Sequence, residues 1–134
     1  MAYEEVLKSI TLNADSSLAT YTGVPGLPGS AAPNYGKQYL FVKVTGVSTC
    51  GLAVADDGPC IGVLQNKPQY TNNAATVAVF GVTKVFAGAA VTAGEDVMPE
   101  DVTGRAIPWT SGKTRAGVAL TSGGDGELIS VLLA

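Results

Sequence analysis

The sequence predicts an all-β fold: a small β-barrel or β-sandwich of short strands and Gly-rich turns, with an extended N-terminal arm. Three observations carry this. Between Ala74 and Pro108, β-branched residues (Thr76, Val77, Val79, Val82, Thr83, Val85, Val91) favour a pleated backbone, and Gly81, Gly88, Gly94 and Gly104 interrupt them as turns or bulges do. Glycine makes up 17 of the 134 residues, well above the usual ~7%. Charged residues make up only 14%, against roughly 25% in an average domain. So little charge points to a surface partly covered by a partner.

A chain of 134 residues is one domain, or one domain with an arm. The expected division is an arm and a Gly/Pro-rich insertion over residues 1–36 and a β-rich core over 37–134. The net charge is −3, and the eight Lys and Arg are scattered. Nucleic-acid binding needs clustered cations and is disfavoured. No apolar run is long enough to span a membrane. The start, MAYEEVLKSI, carries acids where a signal peptide carries bases, so synthesis in a cytoplasm is expected. Histidine is absent, which removes Ser-His-Asp and Cys-His catalysis and His-ligated zinc.

The elements follow in order. In residues 1–12, Val6, Leu7 and Ile10 have helical spacing while Ser9–Leu12 starts a strand; a helical turn or extended arm leads into that strand. Asn13–Ser17 is a turn, and Ala14, Leu18 and Tyr21 are candidates to pack on the core. Thr22–Gly36 is too rich in Pro and Gly for a helix or central strand. It reads either as a surface loop or as a segment ordered against a neighbouring subunit through Val24, Leu27 and Tyr35. Tyr39–Thr45 is the clearest strand, with Phe41 on one face and Val42 on the other. Residues 47–64 read as two strands joined by a turn at Asp56–Pro59. Thr76–Phe80 and Val82–Ala87 read as strands, then Ala106–Trp109, Ala116–Thr121 and Glu127–Leu133. Ser122–Gly126 is a hairpin signal. The last strand is apolar on both faces, as a central or covered strand is. Ile61–Leu64 followed by Thr76–Val79 echoes Ala116–Leu120 followed by Ile129–Leu132, which reads either as two similar strand-loop-strand units or as coincidence in a Val-rich chain.

The reactive side chains favour no chemistry. Cys50 and Cys60 do not face each other in the expected register and read as two small buried residues. Glu95, Asp96, Glu100 and Asp101 lack the spacing of a calcium loop and read as solvated turn acids. Asp125 sits in a single SGGDGE copy, too little for a calcium-binding repeat. The triplet Gly112-Lys113-Thr114 lacks the earlier Gly and the following helix of a phosphate-binding loop. Trp109, the sole tryptophan, is a core residue or an interface anchor.

The ordered series Gly62–Pro68, Ala75–Val79, Gly81–Val85, Ala87–Val97, Thr103–Ala106, Gly117–Leu120 and Gly126–Leu133 resembles the bacteriophage capsid cement (head decoration) proteins. The opening, Ile10–Leu12 through Leu18 to Tyr39–Lys43, is similar to that family's first strands. Thr22–Gly36 departs from it as an insertion. The resemblance implies a β-rich virion protein bound to the outside of a phage head, made in the host cytoplasm. It implies the major capsid protein and further copies of itself, in a trimer, as partners. It implies no enzyme activity and no cofactor. The candidate contact residues are Tyr3, Val6, Leu7, Val24, Leu27, Tyr35 and Trp109. A host- or glycan-binding β-module displayed on the phage is the alternative reading, and a hydrolase a distant third.

Overall fold

The structure is a computed structural model that describes residues 2–20, 37–53 and 59–133. Among the described residues there are nine strands: β1 (Glu5–Ala14), β2 (Phe41–Gly46), β3 (Thr49–Leu52), β4 (Gly62–Leu64), β5 (Ala74–Phe86), β6 (Asp96–Pro99), β7 (Ala106–Pro108), β8 (Gly117–Ala119) and β9 (Leu128–Leu133). There is no helix among the described residues. The strands form one sheet in the order β1-β3-β2-β4-β5-β9-β8-β6-β7, and β1 also pairs with β5.

That extra pairing closes β1, β3, β2, β4 and β5 into a ring. The remaining four strands extend from the second half of β5, where Gly81–Phe86 pairs with Leu128–Leu133. They curl back: Ala106 on β7 bridges to Ala87 just past the end of β5, and the Gly88 N–H donates to the Ala106 carbonyl at 2.8 Å. β5 is therefore a wall of both halves. There are two apolar cores, and the ring strands β2, β4 and β5 contribute to both. Ala14, Leu18, Val42, Cys50, Leu64, Ala75 and Val77 form one. Phe41, Val63, Ala78, Val85, Val97, Ala106, Ile129 and Val131 belong to the other. Burying such side chains contributes roughly 1.5–3 kcal/mol each.

β5 serves both cores by alternation at Val77 and Ala78, and a break in that alternation lets its two ends share one core. Ala78 and Val85 enter the same core, yet an odd number of steps separates them, and a regular strand would turn them to opposite faces. The pairing with β1 supplies the missing residue. Ser9 opposes Ala78 but Lys8 opposes Phe80, so Val79 is passed over as in a β-bulge. Gly81 follows with φ 107°, a conformation that favours glycine.

Close backbone approach fixes two other glycines. A Cβ on Gly62 would stand 2.0 Å from the Ala78 carbonyl oxygen, and one on Gly117 would stand 2.5 Å from that of Leu132. The two sites open β4 and β8, the first strands of the two similar units seen in the sequence. β4 pairs antiparallel with β5, and β8 with β9.

Several expectations are corrected. The segment read as a helical turn or arm is strand: β1 starts at Glu5 and pairs with β5 over most of its length. Backbone pairing outweighs the helical spacing of three side chains. The two runs on either side of Gly81 are one strand, because the bulge bends the strand without ending it. β3 and β4 are not hairpin partners, since β2 lies between them and pairs with both. β8 and β9 pair as expected, but their connection also bridges Val91 to Gly123 and is no tight turn. Asp96 belongs to strand β6, whose Val97 and Met98 are buried, so the acidic run is not all turn. Ala14 and Leu18 do enter the core; Tyr21, Thr22–Gly36 and the Asp56-Asp57-Gly58 turn lie outside the described residues.

Candidate docking surface

A feature open to a partner is the outer face of the second half, and strand register builds it. Val82 on β5 opposes Leu132 on β9, and Leu132 opposes Val118 on β8. Val118 opposes Asp96 on β6. Val97 opposes Pro108, so the next step sets Asp96 against Trp109, whose N–H donates to the Asp96 carbonyl at 2.9 Å. Residues directly opposed across a sheet share a face. Val82, Leu132, Val118, Asp96 and Trp109 thus form one row roughly 20 Å long, at about 5 Å per strand; Leu132 and Trp109 are its exposed apolar members, Val118 is half-buried and Val82 is buried. Phe80, 54% exposed, flanks its β5 end.

The polar groups along this row are tied internally. The Trp109 Nε1–H donates to the Lys113 carbonyl at 2.7 Å, which holds the indole at the edge while 39% of the residue stays exposed. Arg115 pairs with Asp96 at 3.1 Å. Both partners are well solvated, so this ion pair adds little stability; it reduces the net charge beside the row.

The sequence-derived contact residues fall unevenly. Tyr3 reaches this face, because its backbone bonds to the Ser130 hydroxyl on β9. Leu7 is exposed on β1 beside Lys8, the register partner of Phe80. Trp109 ends the row. Val6 lies in β1, and its side chain is outside the described part of the structure. Val24, Leu27 and Tyr35 lie outside the described residues. Phe80 and Leu132 were not singled out in the sequence, because each sits in an apolar run that reads as core. The only local signal was the adjacent pair Val79-Phe80, which cannot both face inward. Two tips expose further apolar side chains: Val47 between β2 and β3, and Val102, at φ 73°, between β6 and β7.

Among the described residues no three His, Cys, Asp or Glu side chains cluster as a metal site. Cys50 and Cys60 are free thiols. Burial pushes both up to about 11, and the nearby Asp15 carboxylate adds to the effect at Cys50. A thiol held protonated is a poor nucleophile.

Among solved structures, the N base of the head fiber gp8.5 of bacteriophage phi29 superposes with a TM-score of 0.60 over 96% of this chain and 95% of that one, at 17% identity. The two share a fold. No family model and no curated protein matches the chain. The fold of the head-fiber base therefore extends nearly end to end in this chain, through both of its halves.

Proposed function

We propose that this chain is a structural protein of a phage head that docks on the outer surface of the capsid and stabilises it by bridging major capsid protein subunits. The observation that carries this reading is the register-built apolar row from Phe80 to Trp109 on a fold shared with a head-fiber base. A capsid surface is broad and repeating, and a pleated face with few free charges fits it better than a pocket would. The protein acts as a non-enzymatic clamp and assembles as a homotrimer, so that each copy contributes modest contacts and many copies on one lattice hold by avidity. It is made in the host cytoplasm and joins the virion from outside.

The test is co-sedimentation with phage heads. The purified protein is expected to bind expanded heads far better than unexpanded heads or free capsid subunits. Replacing Phe80 and Leu132 together by Asp is expected to weaken binding at least about tenfold, as loss of a central apolar contact does. Val47→Asp, at a tip away from the row, serves as the control. Equal binding to free capsid subunits would overturn the lattice-clamp reading. Light scattering of the isolated protein tests the trimer.

A further inference from the structure

We infer that residues Ala2–Glu4 form a strap across the outer face of the second half, and that the Ser130 side chain is its latch. β1 begins its ladder with Glu5 opposite Val82 on β5. The three residues before it leave that ladder and reach β9, one strand further on. There the Tyr3 N–H donates to Ser130 Oγ, and Ser130 Oγ donates to the Tyr3 carbonyl at 2.9 Å. One hydroxyl thus satisfies both backbone groups of one residue, and its single proton is used. These are the only hydrogen bonds of Ala2–Glu4 among the described residues.

Ser130 is the telling residue. It lies on the outward side of β9, opposite Lys84 and in step with exposed Leu132, yet it is fully buried. The core residues of this strand are its neighbours Ile129 and Val131. The strap is what covers Ser130. The rest of Ser130 is held independently: its N–H donates to Thr121 Oγ1 at 2.9 Å, and its carbonyl accepts from Leu120 N–H at 2.8 Å. Losing the side-chain contact therefore need not disturb the strand. Held among the described residues at this one point, the segment opens at lower cost than the sheet beneath it. When it opens, Tyr3 leaves the face and Ser130, with the part of β9 that the strap covers, is uncovered beside Leu132, so the latch sets how much of the docking face is open. This holds whatever partner docks there.

The experiment is amide hydrogen exchange by NMR on the full chain, comparing wild type with Ser130→Ala and Ser130→Thr. In Ser130→Ala the Tyr3 amide is expected to exchange about five- to tenfold faster, the scale of one lost hydrogen bond, with the Ile129 and Val131 amides unchanged. Ser130→Thr keeps the hydroxyl and is expected to restore slow exchange at Tyr3. A hydrophobic fluorescent dye is expected to bind more strongly to Ser130→Ala than to wild type. An unchanged Tyr3 amide in Ser130→Ala would show that something else holds the strap. Equal acceleration at Ile129 and Val131 would show that Ser130 supports the whole sheet and latches nothing.

Discussion

Replacing Gly62 by Ala adds one methyl group where β4 meets β5. That carbon would lie 2.0 Å from the Ala78 carbonyl oxygen, 2.9 Å from its carbon and 3.0 Å from Val77 Cγ1. Even a favourable C–H···O contact needs about 3.3 Å between heavy atoms. β4 would have to withdraw by more than about 1 Å, and its obstacle is backbone, which has no other rotamer to adopt. β4 is only three residues long and joins β2 to β5, so withdrawal breaks register on both sides. It also opens the packing of Val63 and Leu64, one in each core. Overpacking of this kind costs about 1–3 kcal/mol, and the lost ladder bonds place Gly62→Ala at about 3 kcal/mol. For a chain of this size that lowers the unfolding midpoint by roughly 10 °C. Thermal unfolding followed by circular dichroism measures it. Gly94→Ala is the comparison: no atom lies within 4 Å there, but φ is +96°, so only backbone strain opposes the side chain. That cost is about 1 kcal/mol. A Gly62→Ala midpoint no lower than that of Gly94→Ala would refute the close-approach argument.

Other outcomes follow from the same geometry. Asp15 accepts from Ser17 N–H at 2.8 Å, Ser17 Oγ at 2.6 Å and Thr45 Oγ1 at 2.9 Å, tying the turn after β1 to β2; Asp15→Ala is expected to cost about 1–2 kcal/mol in urea unfolding. The raised thiol pKa values at Cys50 and Cys60 mean that the folded state resists ionisation, so their contribution is complete below the unfolded value of 9.0 and is lost as pH rises through about 11. Chemical unfolding across that range should show falling stability, with a shallower fall in Cys60→Ala. At pH 8, a thiol reagent should label the native protein slowly and the denatured protein at once. Trp109 emission should shift to shorter wavelength when wild type binds expanded heads, and should not shift on mixing with free capsid subunits.

What the sequence revealed follows from what alternation encodes. Runs such as Phe41-Val42 and Ile129–Leu133 assign side chains to faces, and the strands and the central place of β9 in the sheet are legible, but burial of β9 on both faces is not what the structure has: Leu132 on its outer face is 38% exposed. Alternation does not name a partner. β3 and β4 are neighbours in sequence, yet β2 separates them, because pairing depends on contacts distant in the chain. The β1 segment was misjudged where Val6, Leu7 and Ile10 imitate a helical stripe. Its irregular register with β5 produces that spacing: the pairing shifts between Glu5 and Lys8 and again at Ser9. The docking face was the least legible part. Trp109 drew notice by being unique, whereas Phe80 is exposed only because a bulge turned it outward. Ser130 gave no signal, since its role depends on a segment 127 residues earlier in the chain.

The shared strand has a mechanical meaning. β5 runs unbroken for 13 residues, bonded to β1 and β4 along its first part and to β9 along its second. Those bonds lie across the strand axis. A pull along β5 therefore loads them together in shear and does not unzip them one by one. Tension applied to one half passes straight into the other without crossing a flexible joint. On the proposed function, with neighbouring capsid subunits gripping the two halves, the load between them would run along this single strand.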